Sequence, residues 1–350
     1  MTMSEETENQ PETIIVGLSG PSSSGKTTLA RLLRTAFSVH GMKTFIIHED
    51  DFYLPDDRIP YTTTPSGKVV QDWDTVEAIN VPLLASTLAY VRRHGALPPE
   101  LPSKEDQNDA THSGVDDATL EKIHTEIERK LDGLVGVGSG SGKGNGKLTI
   151  AFLEGFLLFA PPKSEQPDHI LRVIHENIHL HLFLPAPYDI VKSRREKRSG
   201  YVTSGPAPPP VSQDQIREQD SEKKQTSKAQ SKEEADQRNH ETDVRDMETP
   251  EQHQPPQNFW TDPPGYVDDI VWPRYVRDHA WLLLPEPGKE GEVGSDETET
   301  KIKRIGNGAN VRTDAGVAVA PGNGTWPMSQ VLEWAVDKVS KFLEEKQGRA

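Results

Sequence analysis

The 350-residue sequence contains no cysteine, few aromatic residues (6%) and no apolar run long enough to cross a bilayer. Without cysteine there can be no disulfide framework and no thiolate metal site, and a reducing compartment is favoured. The acidic, polar segment 1–12 has neither a secretory nor a transit-peptide pattern. We therefore expect a cytoplasmic protein with access to the nucleus.

Positive charge and apolar residues are also scarce. Lys and Arg number 39 against 55 Asp and Glu, which gives a net charge of -16, and only 33% of the chain is hydrophobic. Nucleic acids select basic surfaces, so this balance argues against a nucleic-acid partner. The low apolar fraction also means that much of the chain cannot be packed core.

The most specific feature present is a glycine loop between an apolar run and a helical pattern. Ile14, Ile15 and Val16 precede GPSSSGKT (residues 20–27), which matches G-x-x-x-x-G-K-[ST] over its full length, and a leucine-rich pattern follows. This arrangement of strand, loop and helix holds the phosphates of a nucleoside triphosphate through backbone N–H groups and the helix N-terminus. Lys26 would reach the β- and γ-phosphates, and Thr27 would ligate Mg²⁺.

Acidic residues end two further predicted strands. Residues 43–48 form a short buried strand followed by EDDFY (49–53), and residues 148–153 form another that ends at Glu154. Ligands of open α/β sheets bind beyond the carboxyl ends of the strands, so these acids are expected beside the glycine loop. Glu154 would lie near Mg²⁺, directly or through water.

Helix signals fill the rest of the core. The first helix is expected to run to about residue 40, and Asp74 with Glu77 predicts a capping box that starts a helix, carried on or restarted at Pro82, to about residue 93. Amphipathic patterns predict helices at 120–131 and 329–346, and Pro187 opens one that ends in a basic cluster. Strands are expected at 178–184 and 281–284.

One formal metal motif is interpreted differently. Residues 175–179 read H-E-x-x-H, but His179 and His181 alternate with leucines. That period is typical of a strand, which would not place both imidazoles on one helix face, so the pattern does not favour zinc.

These signals predict an α/β fold with a P-loop NTPase-type parallel sheet flanked by helices, a small lid and disordered insertions. The expected order is a disordered N-terminus (1–12), the first part of the core (13–97), a low-complexity insertion with one short helix (98–147), core and start of the lid (148–201), a disordered lid insertion without Phe, Trp or Tyr (202–258), lid end and core strand (259–285), a polar loop (286–325) and a C-terminal core helix (326–350).

Taken together, GPSSSGKTT, EDDFY, QDWD, FLEGFLLF, RREKR and TDPPGYVDDIVWP resemble the nicotinamide riboside kinases, a branch of the uridine-kinase-like P-loop family. The resemblance covers about 14–93, 148–201 and 259–281, and the closing helix more loosely. It implies transfer of the γ-phosphoryl group of ATP, with Mg²⁺, to the ribose 5′-hydroxyl of nicotinamide riboside, and of nicotinic acid riboside too, in NAD salvage.

The resemblance also implies residue roles. Asp50 and Lys26 would be catalytic, and Mg²⁺ would be held by Thr27, Asp50 and Glu154. The predicted ATP-binding residues are Gly20, Pro21, Ser22, Ser23, Ser24, Gly25, Lys26, Thr27, Thr28, Arg194 and Arg198. The predicted acceptor-binding residues are Asp50, Asp51, Phe52, Tyr53, Trp73, Asp74, Arg195 and Tyr201, with Asp74 and Arg195 on the ribose hydroxyls and Trp73 and Tyr201 on either face of the pyridinium ring.

A fixed positive charge on that ring suits a pocket rich in carboxylates and aromatic faces through Coulomb and cation–π attraction. Two alternatives remain open on the sequence: a uridine or cytidine kinase, and a nucleotide-binding regulatory module without turnover, whose 202–258 insertion docks a protein partner. For the riboside kinase we expect a monomer or weakly associating protein, with small-molecule substrates and no membrane contact.

Overall fold

The protein is described from a computed structural model, which covers residues 13–38, 42–99, 101, 103, 113–131, 148–198, 200–206, 258–282 and 312–347. The predictions made for residues 1–12, 132–147, 207–257 and 283–311 lie outside these ranges.

The centre of the fold is a five-stranded sheet whose neighbouring strands are all parallel. It contains β1 (Thr13–Ser19), β2 (Met42–His48), β5 (Leu148–Gly155), β6 (Leu180–Phe183) and β9 (Val317–Val319) in the order β2-β5-β1-β6-β9. β1 is buried over its whole length because both faces of the sheet are covered. The predicted α/β fold with a parallel sheet is confirmed.

Helices cover the two faces and enclose two apolar cores. The helices are α1 (Lys26–Ala36), α2 (Val81–His94), α3 (Asp117–Leu131), α4 (Arg172–His175), α5 (Tyr188–Arg195), α6 (Trp272–His279) and α7 (Met328–Gln347). One core joins α1, α3 and α7 to alternate residues of β1, and the other joins α2, α4 and α6 to the opposite face. No helix within the described ranges is both long and apolar enough to cross a membrane.

Two short antiparallel strand pairs lie outside the central sheet. β3 (Tyr61–Thr63) pairs with β4 (Val69–Gln71), and β7 (Tyr201–Thr203) pairs with β8 (Asn258–Trp260). The second pair corrects the prediction that disorder begins at Val202 and continues to Asn258, because both ends of that segment are strands. The register brings Tyr201 opposite Trp260, two aromatic residues that are 59 positions apart in the sequence.

The capping box predicted at Asp74 and Glu77 is wrong. The segment forms a 3₁₀ turn at Val76–Ala78, and α2 starts later, with the Asn80 side chain accepting a hydrogen bond from the Leu83 N–H (3.1 Å). The restart at Pro82 is therefore the correct alternative. Asp74 does not cap a helix because its carboxylate forms an ion pair with Arg195 instead.

Three other boundaries differ from the predictions. α1 ends at Ala36 rather than near residue 40, because Phe37 turns into the core and packs on Phe152. The strand expected at 281–284 is wrong for its described part, since Ala280–Leu282 is a 3₁₀ turn. The last strand of the central sheet is instead β9 (Val317–Val319), which lies in the stretch 286–325 that was predicted to be a polar loop. Its three small residues are too few to give a periodic signal.

The insertion at 98–147 is not confined to the surface. α3 contacts both α1 and α7, and Val115, Ile123 and Ile127 are buried in the core that these helices share. The predicted amphipathic helix is confirmed, and it completes one layer of the sandwich.

Candidate active site

The glycine loop lies at the carboxyl end of the central strand. It begins after Ser19 and ends at Gly25, the residue before α1. Gly20 has a φ of 151° and an added Cβ there would lie 2.3 Å from the Leu184 carbonyl oxygen, so the loop requires glycine at this position. The backbone is thus free to curl around a ligand, as phosphate binding demands.

Lys26 lies folded over this loop. Its Nζ donates a hydrogen bond to the Pro21 carbonyl oxygen at 2.9 Å, and the side chain is buried. Burial lowers the pKa of Lys26, while the carboxylates of Glu154 and Asp50 oppose that shift. Lys26, Asp50 and Glu154 all line the same cavity.

Glu154 ends β5 beside the start of α1. Its Oε1 accepts a hydrogen bond from Thr27 Oγ1 (3.1 Å) and lies 2.8 Å from His48 Nδ1. Burial opposes ionisation of Glu154, but the contacts with His48 and Thr27 and the charge of Lys26 together hold its pKa below the usual range. Glu154 is therefore an anion next to the hydroxyl that was predicted to ligate Mg²⁺.

Asp50 and Glu49 lie in a 3₁₀ turn that follows β2. Asp50 faces the cavity, whereas the buried Glu49 carboxylate accepts hydrogen bonds from the N–H groups of Phe156 (2.6 Å) and Leu157 (3.0 Å). Burial raises the pKa of Glu49 to about 7. Sequence analysis missed this role, although the acid next to Asp50 was a visible signal. Glu49 fixes the turn that follows Glu154.

A single cavity of about 710 Å³ brings most of the predicted site residues together. Its lining contains these predicted residues: Ser22, Ser23, Ser24, Gly25, Lys26, Thr27, Thr28, Asp50, Tyr53, Trp73, Asp74, Glu154, Arg194, Arg195, Arg198 and Tyr201. Gly20, Pro21, Asp51 and Phe52 are not among the lining residues. Phe52 is 1% exposed and packs in the core, so the prediction that it contacts the acceptor is corrected.

Arg195 connects the basic helix α5 to the acceptor side of the cavity. It forms a two-point ion pair with Asp74 (2.8 and 2.9 Å), and its Nε donates to Asp262 Oδ2 at 2.7 Å. Burial alone would lower the pKa of Arg195, but the charges of Asp74, Tyr201 and Asp262 keep it well above the usual value. This buried group carries one more carboxylate than cation.

Aromatic rings form the wall next to this ion pair. The Trp73 ring lies 5.3 Å from Tyr53 and 5.6 Å from Trp260, and the guanidinium groups of Arg195 and Arg198 lie over Tyr201. Trp260 also lines the cavity, and sequence analysis missed it. The pairing of β7 with β8 brings it there, and no local sequence pattern reveals that pairing.

The opposite end of the cavity is lined by the segment before α7. Trp326 is 44% exposed there, and Gly324 and Pro327 lie beside it. Arg194 approaches the glycine loop from the lid, where its Nη1 donates to the Ser23 carbonyl oxygen at 3.3 Å. Trp326 was not predicted, although an isolated tryptophan before a helix is a usable signal for a flat ligand.

The histidines of the H-E-x-x-H pattern are structural. His175 ends α4, and its Nδ1 accepts from the Ala160 N–H (3.2 Å), while His179 Nδ1 accepts from the Ile15 N–H (3.0 Å). The His175 and His181 rings lie 4.2 Å apart. Within the described ranges no group of three His, Cys, Asp or Glu side chains could hold a metal ion by itself.

The parallel sheet, the glycine loop at its central strand and the acids at the ends of the neighbouring strands define a nucleoside-triphosphate-binding protein of the P-loop class. No protein-family model matches the chain. Among solved structures, a transport-system kinase from Silicibacter sp. TM1040 is 17% identical over 55% of this chain and 74% of that chain, with a TM-score of 0.32, an overlap too small to support a conclusion.

Curated relatives are more informative. Nicotinamide riboside kinase of Schizosaccharomyces pombe is 27% identical over 78% of this chain and 82% of the relative. The enzymes of that name from Saccharomyces cerevisiae and Eremothecium gossypii are each 23% identical, over 95% and 77% of this chain and 98% and 78% of the relatives. The chain is therefore similar to three nicotinamide riboside kinases, which supports the resemblance that its motifs indicated.

Proposed function

We propose that the protein transfers the γ-phosphoryl group of ATP to the ribose 5′-hydroxyl of nicotinamide riboside and so makes nicotinamide mononucleotide for NAD salvage. The observation that carries this proposal is the single cavity in which Lys26 and the glycine loop face Asp50, Asp74 and an aromatic wall. The names of the relatives support the same reaction.

At the phosphate end, the loop N–H groups and Lys26 would hold the β- and γ-phosphates, and Arg194 and Arg198 would close over them from the lid. The hard oxygen donors Thr27, Asp50 and Glu154 suit Mg²⁺, which would neutralise phosphate charge when bound. The hydrogen bond from Thr27 to Glu154 keeps two of these donors adjacent. Because the side chains alone form no complete metal cluster, phosphate oxygens would supply the remaining ligands.

At the acceptor end, Asp50 would accept the proton of the 5′-hydroxyl as its oxygen bonds to the γ-phosphorus and the bond from that phosphorus to the bridging oxygen of ADP breaks. Asp74 and Arg195 would bind the ribose 2′- and 3′-hydroxyls, which fixes the sugar for attack. Trp73, Tyr201 and, in addition, Trp260 would contact the pyridinium ring.

The charge of the acceptor end favours a cationic ring over a neutral pyrimidine. Asp74 and Asp262 share one cation, Arg195, so this group has one more carboxylate than cation, and Asp50 lines the same cavity. A fixed positive charge beside these acids gains Coulomb energy that uridine does not. The same argument holds less well for the acid form of the riboside, which carries an added carboxylate. Because this proposed reaction uses ATP and small soluble substrates, we propose that the protein acts in the cytoplasm.

An acceptor panel with labelled ATP and Mg²⁺ tests the proposal. We expect kcat/KM for nicotinamide riboside to exceed the values for uridine and cytidine by at least tenfold. Faster phosphorylation of a pyrimidine nucleoside would overturn the acceptor assignment, and the absence of transfer to any nucleoside would overturn the enzymatic one.

Asp50→Asn tests the proton acceptor within the same assay. General-base catalysis contributes about 10²–10⁴-fold, so we expect a fall in kcat of that size while ATP binding persists. Asp117→Asn, at the exposed first residue of α3 and outside the cavity lining, is the matched control that should leave turnover unchanged. Normal turnover in Asp50→Asn would remove Asp50 from the mechanism.

A further inference from the structure

The acceptor wall is held by a segment to which the proposed reaction assigns no role. This segment, residues 265–275, follows β8 in the chain and contains the GYVDDIVWP sequence singled out above. Tyr266 is 2% exposed and lies at its start, directly after Gly265, whose φ of 84° allows the sharp turn. Val267, Ile270 and Val271 form a small buried cluster that anchors the segment.

The Tyr266 hydroxyl bridges two backbone groups of the acceptor loop. It accepts a hydrogen bond from the Trp73 N–H at 2.9 Å and donates one to the Gln71 carbonyl oxygen at 3.0 Å. Both bonds are made to residues on either side of Asp72. A single phenol therefore sets the path of the chain immediately before Trp73 and Asp74.

A second side chain from the same segment binds Asp72, the residue between Gln71 and Trp73. Arg274 Nε donates to Asp72 Oδ2 at 2.8 Å, and the Asp72 side chain is itself buried. Residues 71–73 are thus held at three consecutive positions by two side chains from a distant part of the sequence. Arg274 also donates to Thr62 Oγ1 at 3.3 Å, which ties the clamp to β3.

The Tyr266 ring contacts the groups that would bind the acceptor. The guanidinium of Arg195 lies 5.6 Å from its centroid, and the Trp260 ring lies 5.7 Å away at an angle of 64°. The phenol end fixes Trp73 and the ring face supports Arg195 and Trp260. Tyr266 therefore contacts three groups on the acceptor side of the cavity, namely the Trp73 backbone, the Arg195 guanidinium and the Trp260 ring.

We infer that Tyr266 is a positioning residue for the acceptor: it fixes the backbone that presents Trp73 and Asp74, and Arg274 assists it through Asp72. The inference rests on the proposed function. It predicts that acceptor binding, and not ATP binding, depends on the phenol, because a pre-organised site avoids the ordering that a loose site must undergo when ligand binds.

Tyr266→Phe removes the hydroxyl and keeps the ring. We expect the KM for nicotinamide riboside to rise about tenfold, since two hydrogen bonds that order the loop are lost, while the KM for ATP stays within twofold of the wild-type value. Tyr275→Phe is the matched control, because the Tyr275 hydroxyl in the same segment is buried without a hydrogen-bond partner in the described structure. It should leave both KM values unchanged.

Hydrogen exchange gives a readout that needs no turnover. In Tyr266→Phe the Trp73 amide loses its acceptor, so a peptide covering residues 71–74 should exchange at least tenfold faster than in wild type and in Tyr275→Phe. If Tyr266→Phe does not fold, Arg274→Lys, at a half-exposed position, should raise the acceptor KM two- to fivefold by itself.

Unchanged acceptor KM and unchanged exchange in a folded Tyr266→Phe protein would overturn the inference, as would an equal rise in both KM values. Equal effects of Tyr275→Phe would show that any buried phenol in the segment matters only for stability. Failure of the proposed function is a separate result, because it appears in the wild-type acceptor panel, whereas faster exchange at residues 71–74 tests the clamp whatever the acceptor is.

Discussion

Replacement of Arg195 by lysine tests the buried ion pair sharply, because it keeps the positive charge and removes the planar guanidinium that donates to two carboxylates at once. Arg195 makes four hydrogen bonds to two carboxylates, at 2.7 to 3.2 Å, and its side chain is 6% exposed. A lysine ammonium is a point donor that cannot span both carboxylates in this geometry. At least two of the four charge-assisted bonds should therefore be lost in Arg195→Lys.

The expected loss of stability follows from these contacts. A hydrogen bond to a charged group contributes about 1.5–3 kcal/mol, and retention of the buried positive charge offsets part of the loss. We estimate a decrease of about 3 kcal/mol in the free energy of unfolding, a large share of the roughly 5–15 kcal/mol typical of a folded domain. With a urea m-value of about 1–3 kcal/mol/M, the midpoint of unfolding should fall by about 1–3 M.

Urea unfolding followed by tryptophan fluorescence measures this shift, and steady-state kinetics measures the functional effect. We expect the KM for the acceptor to rise at least tenfold and the KM for ATP to stay within twofold. Arg194→Lys is the matched stability control. Arg194 precedes Arg195 on α5, is exposed, and makes one hydrogen bond of 3.3 Å to a carbonyl oxygen. A midpoint unchanged in Arg195→Lys, or shifted equally in Arg194→Lys, would refute this reasoning.

Two further predictions concern the glycine loop and acid stability. Gly20→Ala should lower ATP affinity at least tenfold, since the added Cβ would lie 2.3 Å from the Leu184 carbonyl oxygen. Gly67→Ala is the control, because Gly67 has a φ of 82° and no atom within 4 Å of an added Cβ, and it should leave ATP binding measured by calorimetry unchanged. Equal losses of affinity in the two variants would contradict the steric argument. Burial lowers the pKa of three histidines to about 4, 3 and 4, namely His175, His181 and His279. Below pH 6.5 the unfolded chain takes up protons at these histidines that the folded protein does not, so stability should fall between pH 7 and pH 5. The raised pKa of Glu49 contributes in the opposite direction, and the net loss should be roughly 3 kcal/mol. Urea midpoints that stay constant or rise from pH 7 to pH 5 would contradict this assignment.

Features that depend on neighbours along the chain could be predicted from the sequence. The glycine loop needs particular backbone angles within eight residues, and the strand before it needs a short β-branched run, so motif and fold coincide there. The amphipathic helices α3 and α7 follow from their period in the same way. The acids that end β2 and β5 could be placed beside the loop because parallel strands carry their carboxyl ends to one edge.

The acceptor wall could not be predicted in this way. Asp74 has a good local capping pattern, yet a buried ion pair with a residue 121 positions away decides its conformation. Phe52 follows two acids of the site but points into the core, because residues three apart share one side of a 3₁₀ turn and Phe52 lies on the buried side with Glu49.

The sequence by itself determined the glycine loop of a triphosphate-binding site, since curled backbone amides and a helix N-terminus are local structures. Only the tertiary structure decided which aromatic rings and charges surround the acceptor. Trp260 and Tyr266 reach Trp73 through a strand pair whose ends are 55 residues apart in the chain, and such a contact depends on how the sheet edge closes, which no pattern in a single segment records.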